Sequence, residues 1–112
     1  MSPRDTWQRI LSKADGRTYE IPTTPQNKRP PKWFAVSKDG ESILVENAKA
    51  NTPSVSLTHE RRITFSDFES IFSYYEIRRS GVKGISGEVA SRSMNSAYIF
   101  ALIDDARKTA MA

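Results

Sequence analysis

The sequence contains no cysteine. Disulfides, thiolate metal sites and cysteine nucleophiles all need a thiol, so these chemistries are excluded. A chain without cysteine also suits the reducing cytoplasm of a bacterium, which is the expected location. There is one histidine, His59, beside Glu60. With no second histidine and no thiol, a zinc site cannot be completed around it, and His59 reads as a solvated turn residue. No apolar run approaches the ~20 residues a membrane span needs, so no membrane partner is expected. The opening MSPRDTWQRIL lacks the apolar stretch of a signal peptide.

Several familiar site patterns also fail on spacing. Gly84-Ile85-Ser86-Gly87 is one residue short of a nucleophile elbow. The Gly81–Gly87 segment matches neither a dinucleotide fingerprint nor a P-loop. Its backbone amides beside Lys83 could still form an anion nest, although plain turn chemistry explains it. Asp39, Glu41 and Glu46 are followed by Asn47-Ala48-Lys49, one residue too many for a metal-dependent nuclease pattern. No cofactor is expected, and catalysis ranks last among the functional readings.

What is present points to a single domain spanning residues 1–112 with an α+β fold. The clearest element is a helix within Arg62–Gly81. Phe68, Ile71, Phe72 and Tyr75 recur at i, i+3, i+4 and i+7 and put four large apolar groups on one face. Thr64 is the expected N-cap, with Ile63 and Phe68 as a hydrophobic staple. Asp67 and Glu69 near the start, and Arg78 and Arg79 near the end, suit the helix dipole. Gly81 is the expected left-handed stop.

Ahead of it, Ser2-Pro3-Arg4-Asp5 opens a helix whose apolar stripe is Trp7, Ile10, Leu11 and Ala14, ending at Gly16. Arg17–Ile21 is a short strand stopped by Pro22. Thr23–Pro31 is a proline-rich surface loop. Lys32–Ser37 and Glu41–Glu46 form a hairpin around Lys38-Asp39-Gly40. Val55 and Leu57 alternate with polar residues as a half-buried strand, and His59–Arg62 is a charged turn. Near the end, Ser86–Ser91 could be a short helix. A last helix begins at Ser93 or Asn95 and runs to about Lys108. Its stripe is Ile99, Leu102, Ile103 and Ala106, with Tyr98, Phe100 and Ala101 on the other sides, so it should be enclosed or sit at an interface. The expected architecture is a three- or four-stranded antiparallel sheet with an N-terminal helix and two to three C-terminal helices.

The net charge is +4, and residues 1–62 carry the whole surplus, with 11 Lys and Arg against 7 Asp and Glu. A basic balance fits an acidic partner such as nucleic acid, and it also keeps a small domain in solution. Basic residues gather at Lys28, Arg29 and Lys32, at Arg61 and Arg62, and at Arg78, Arg79 and Lys83. The strongest candidate surface is Arg78, Arg79, Lys83 and Arg92 on phosphates, with Asn95, Ser96 and Tyr98 reaching bases. Ser86–Ser91, a turn at Arg92–Met94 and the last helix together have a helix-turn-helix look, although Ile99–Ile103 leaves little polar face. The leading reading is a small basic nucleic-acid-binding module. The alternative is a homodimeric interaction module that associates through the apolar last helix.

Arg62-Ile63-x-x-x-Asp67-Phe68-x-x-Ile71, followed by Asn95-Ser96-Ala97-Tyr98-Ile99-x-Ala101-Leu102, resembles a small bacterial domain of unknown function associated with mobile-element and defence genes. The resemblance covers residues 62–103 and rests mostly on core residues. A second serine is commoner in that pattern where this chain has Ala97. It implies a genetic setting and brings no active site.

Overall fold

The computed structural model describes residues 2–25, 30–80 and 95–111. The chain begins with helix α1 (Pro3–Lys13) and continues through strands β1 (Tyr19–Pro22), β2 (Trp33–Asp39), β3 (Ser42–Asn47) and β4 (Arg61–Ile63). Helices α2 (Phe65–Phe72), α3 (Tyr74–Arg79) and α4 (Ser96–Met111) follow. The strands form one antiparallel meander in the order β1-β2-β3-β4. The fold is α+β, as the sequence pattern predicts.

Local chemistry explains the elements. The Ser2 hydroxyl accepts the Asp5 N–H at 3.1 Å, and Pro3 opens α1 without needing a donor. Trp7, Ile10, Leu11 and Ala14 are all buried, so the i, i+3, i+4, i+7 stripe is the inner face of α1. Gly16 then turns the chain at φ 70°, a conformation that favours glycine. Thr64 caps α2 by accepting the Asp67 N–H at 3.3 Å. Register places Tyr19 and Ile21 beside Val36 and Phe34, Val36 beside Val45, and Ile43 beside Ile63. These side chains line the inner face of the sheet, and α1, α2 and α4 close over it. Trp7 sits at the centre, its ring 5.0 Å from Phe68 and 5.9 Å from Phe65.

Two boundaries differ from the sequence expectation. The long helix is interrupted at Ser73, giving α2 and α3. Ser73 is exposed and contributes no core packing, and serine in a helix interior is a weaker former than alanine. The expected stop at Gly81 lies outside the described residues. The hairpin turn is Gly40-Glu41, because Asp39 pairs with Ser42. Gly40 has φ 62° at the first turn position, where a two-residue hairpin needs a positive angle.

The fourth strand is Arg61–Ile63, expected as a turn, and not the Val55–Leu57 stretch. Ile63 gives β4 its inward side chain beside Ile43, and that burial outweighs the two arginines before it. Residues 48–57 instead fold back against the end of the sheet. Trp33 donates its N–H to the Pro53 carbonyl at 2.8 Å and accepts the Val55 N–H at 2.9 Å. The Asn47 side chain accepts the Leu57 N–H at 2.7 Å and donates to the Leu57 carbonyl at 3.1 Å.

One carboxylate holds this segment from β1. Glu20 accepts N–H groups from Lys49 at 2.8 Å, Ala50 at 3.1 Å and Asn51 at 3.0 Å, and the Asn51 side-chain amide at 2.9 Å. These donors favour the ionised form. The Lys49 N–H acts most strongly, then the Asn51 amide, and together they pull the carboxyl from 4.5 to about 2.

Two outcomes are expected. Phe68 is fully buried, so Phe68→Ala should cost about 3–5 kcal/mol in denaturant titration. Glu20 binds its proton more weakly folded than unfolded, so its contribution is complete above its ordinary value of 4.5 and fades as pH falls toward about 2. Urea midpoints measured across that window should fall more steeply for the wild type than for Glu20→Gln.

Candidate functional site

The surface expected from the sequence does not assemble as one free patch. Arg78 is half-buried and turned inward. Its guanidinium lies 4.6 Å over the Phe100 ring and donates to the Thr24 hydroxyl at 3.4 Å and to the Thr24 carbonyl. Burial lowers its affinity for the proton, and Asp104 and Tyr75 offset part of that. Asn95 donates to the Asp67 carboxylate at 3.0 Å, which ties the turn before α4 to the first turn of α2. Tyr98 packs edge-on against Phe34 at 5.0 Å, and burial raises its pKa. Three of the expected ligand-contacting residues are therefore engaged inside the molecule. Arg79 is exposed, and Ser96 is half-buried at the start of α4. Lys83 and Arg92 lie outside the described residues, as do Lys28, Arg29 and most of the expected helix-turn-helix.

Four other cations are matched by acids. Arg62 meets Asp39 at 2.6 Å, Arg107 meets Glu76 at 2.6 Å, Lys38 meets Asp15 at 3.2 Å, and Lys108 meets Asp104 at 3.3 Å. Arg4 lies 3.8 Å over the Phe65 ring. His59 is exposed, beside a shallow groove that also involves Glu46 and Lys49. Among the described residues no group of three His, Asp or Glu side chains is placed to hold a metal ion.

A different set of cations does converge. Arg9 and Lys13 stand one turn apart on α1, and Arg17 follows the turn at Gly16. The Arg17 Nε donates to the Lys13 carbonyl at 2.6 Å, satisfying an acceptor that the helix end leaves open. All three line a cleft of about 470 Å³ between α1, the start of β1 and α4. Ile10 and Ala106 give the cleft an apolar floor. Arg9 and Arg17 are exposed and form no ion pair among the described residues.

Lys13 is held at the wall by Asp105, 2.7 Å away, and its ammonium lies 4.4 Å over the Tyr19 ring. The Tyr19 hydroxyl is buried with no hydrogen-bond partner among the described residues. Burial, reinforced by Asp105, holds its proton well above the usual phenol range, so it stays a neutral donor. This arrangement can bind an anion that carries some apolar surface.

The i, i+4 spacing of Arg9 and Lys13 and the charge surplus of residues 1–62 were the sequence signals for this cleft. The apolar stripe of the same helix obscured them, and the contribution of Asp105 from α4 left no local trace.

Among the described residues no helix is long and apolar enough to cross a membrane. Comparison of the chain with protein-family models, curated proteins and solved structures finds no match.

The two neighbouring arginines of α3 should separate cleanly. Arg78→Ala breaks part-buried hydrogen bonds to Thr24 and should cost about 1–3 kcal/mol. Arg79→Ala removes an exposed side chain and should change stability by less than about 0.5 kcal/mol. Thermal melts of the two variants check this.

Proposed function

We propose that the chain is a small basic nucleic-acid-binding module. Its phosphate contacts come from Arg9, Lys13 and Arg17, and not chiefly from the residues around Arg78 and Asn95. The observation that supports this reading is that Arg9 and Arg17, exposed and unmatched by acids among the described residues, flank Lys13 along one cleft. Arginine suits such contacts because its planar fork can donate two parallel hydrogen bonds to phosphate. Arg79 and Ser96 remain secondary candidates. A bacterial cytoplasmic setting near mobile or defence genes is consistent with this role.

The homodimer reading draws no support from the last helix. Ile99, Phe100, Ala101, Leu102, Ile103 and Ala106 of α4 are buried within the single chain. The only large apolar side chain that is well exposed among the described residues is Ile77 of α3.

Gel shifts on short DNA and RNA test the proposal. Three phosphate contacts imply a salt slope of about −2 to −3, so affinity should fall roughly 20- to 40-fold between about 50 and 200 mM salt. Replacing both Arg9 and Arg17 by Ala should weaken binding to all sequences and reduce the slope by about two. Wild-type protein that binds neither nucleic acid at low salt would remove this reading.

A further inference from the structure

We infer that the cleft between α1, β1 and α4 is a phosphomonoester site, which takes a terminal phosphate together with the first sugar or base behind it. The inference rests on the nucleic-acid reading above, whose contact residues it shares.

Charge is the first support. Arg9, Lys13 and Arg17 bring three positive charges to the cleft, and Asp105 brings one negative charge. The surplus of two matches a phosphomonoester, which carries about −1.5 to −2 at neutral pH. A phosphodiester inside a strand carries only one negative charge and leaves the cleft under-neutralised.

Geometry is the second. Lys13 is held in place by Asp105 at 2.7 Å, and Arg17 by the Lys13 carbonyl at 2.6 Å. Two of the three cations are thus fixed before any ligand arrives, which reduces the ordering cost of binding. The volume of about 470 Å³ exceeds what a bare phosphate fills. It falls within the size range of sites that enclose a small organic molecule. The apolar floor of Ile10 and Ala106 suits the carbon face of a sugar or base.

The Tyr19 hydroxyl is the third. A buried hydroxyl without a partner is uncommon and calls for a cause. The ring that carries it lines the cleft beneath the Lys13 ammonium, so a small shift of that ring would bring the hydroxyl to a ligand oxygen, which would accept its proton in a hydrogen bond. The hydroxyl gains nothing from the folded chain alone, so removing it should not weaken the fold.

The phosphomonoester could end a nucleic-acid strand or belong to a free nucleoside monophosphate. Both offer the same dianion on the same body. Isothermal titration calorimetry can separate them, with four ligands titrated directly into the protein. The ligands are a 5′-phosphorylated oligonucleotide, its 5′-hydroxyl twin, a nucleoside monophosphate and the parent nucleoside.

The phosphorylated strand should bind about tenfold or more tightly than its hydroxyl twin, since charge-assisted bonds to arginine are strong. Arg9→Ala and Arg17→Ala should each remove most of that preference. Tyr19→Phe should keep or raise the melting temperature and lower the affinity for phosphorylated ligand several-fold. Unchanged affinity in Tyr19→Phe would take the hydroxyl out of the site.

Equal binding of the two strands would overturn the phosphomonoester site and leave the nucleic-acid reading standing. Binding of the nucleoside monophosphate over the nucleoside, with neither strand bound, would keep the site and remove the nucleic-acid reading. Absence of binding by any of the four would end both.

Discussion

The contact between Trp7 and Phe68 sets the position of most of the molecule. The two rings lie 5.0 Å apart at the centre of the core, one from the first helix and one from the helix that follows the sheet. Aromatic pairs of this kind add about 0.5–1.5 kcal/mol beyond their buried area. Positioning matters more here than energy. With Trp7 anchored, the inner face of α1 is fixed and its opposite side must carry Arg9 and Lys13 outward. The same anchoring brings Lys13 to Asp105, 92 positions along the chain. The cleft is thus a by-product of how the first helix seats on the core.

Charge distribution follows from that seating. The acids Asp39, Glu76, Asp15 and Asp104 each meet a cation elsewhere on the surface, mostly in pairs worth little individually. Arg78 is drawn inward because Phe100 offers a ring face and Thr24 offers acceptors. Half-burial suits an arginine whose stem is apolar and whose head can be satisfied. Arg17, which forms no ion pair among the described residues, lies just past the end of α1, where the negative pole of the helix also favours positive side chains.

Much of the fold was legible in the sequence. The stripes of α1 and α2, the caps Ser2 and Thr64 and the enclosed character of α4 all follow from spacing and local hydrogen bonding. The fourth strand was not legible, because Arg61-Arg62-Ile63 carries two charges and only one apolar residue. Its pairing depends on Ile43, already placed by the hairpin. The candidate site was less legible still. Arg78, Asn95 and Tyr98 have the chemistry of ligand contacts, and only the tertiary structure shows that Thr24, Asp67 and Phe34 occupy them. The cationic spacing that lines the cleft, between Arg9 and Lys13, lies on a helix whose apolar pattern dominated its reading.

The edges of the sheet have a further consequence. One outer strand, β1, is four residues long and ends in Pro22, which has no N–H to offer. The other, β4, has only three residues, two of them arginine. Long, flat, uncharged edges are the templates on which foreign strands add and on which aggregates grow. Neither edge here provides such a template. Backbone-to-backbone growth is therefore discouraged at both sides of the sheet, and contacts with other molecules are left to side chains.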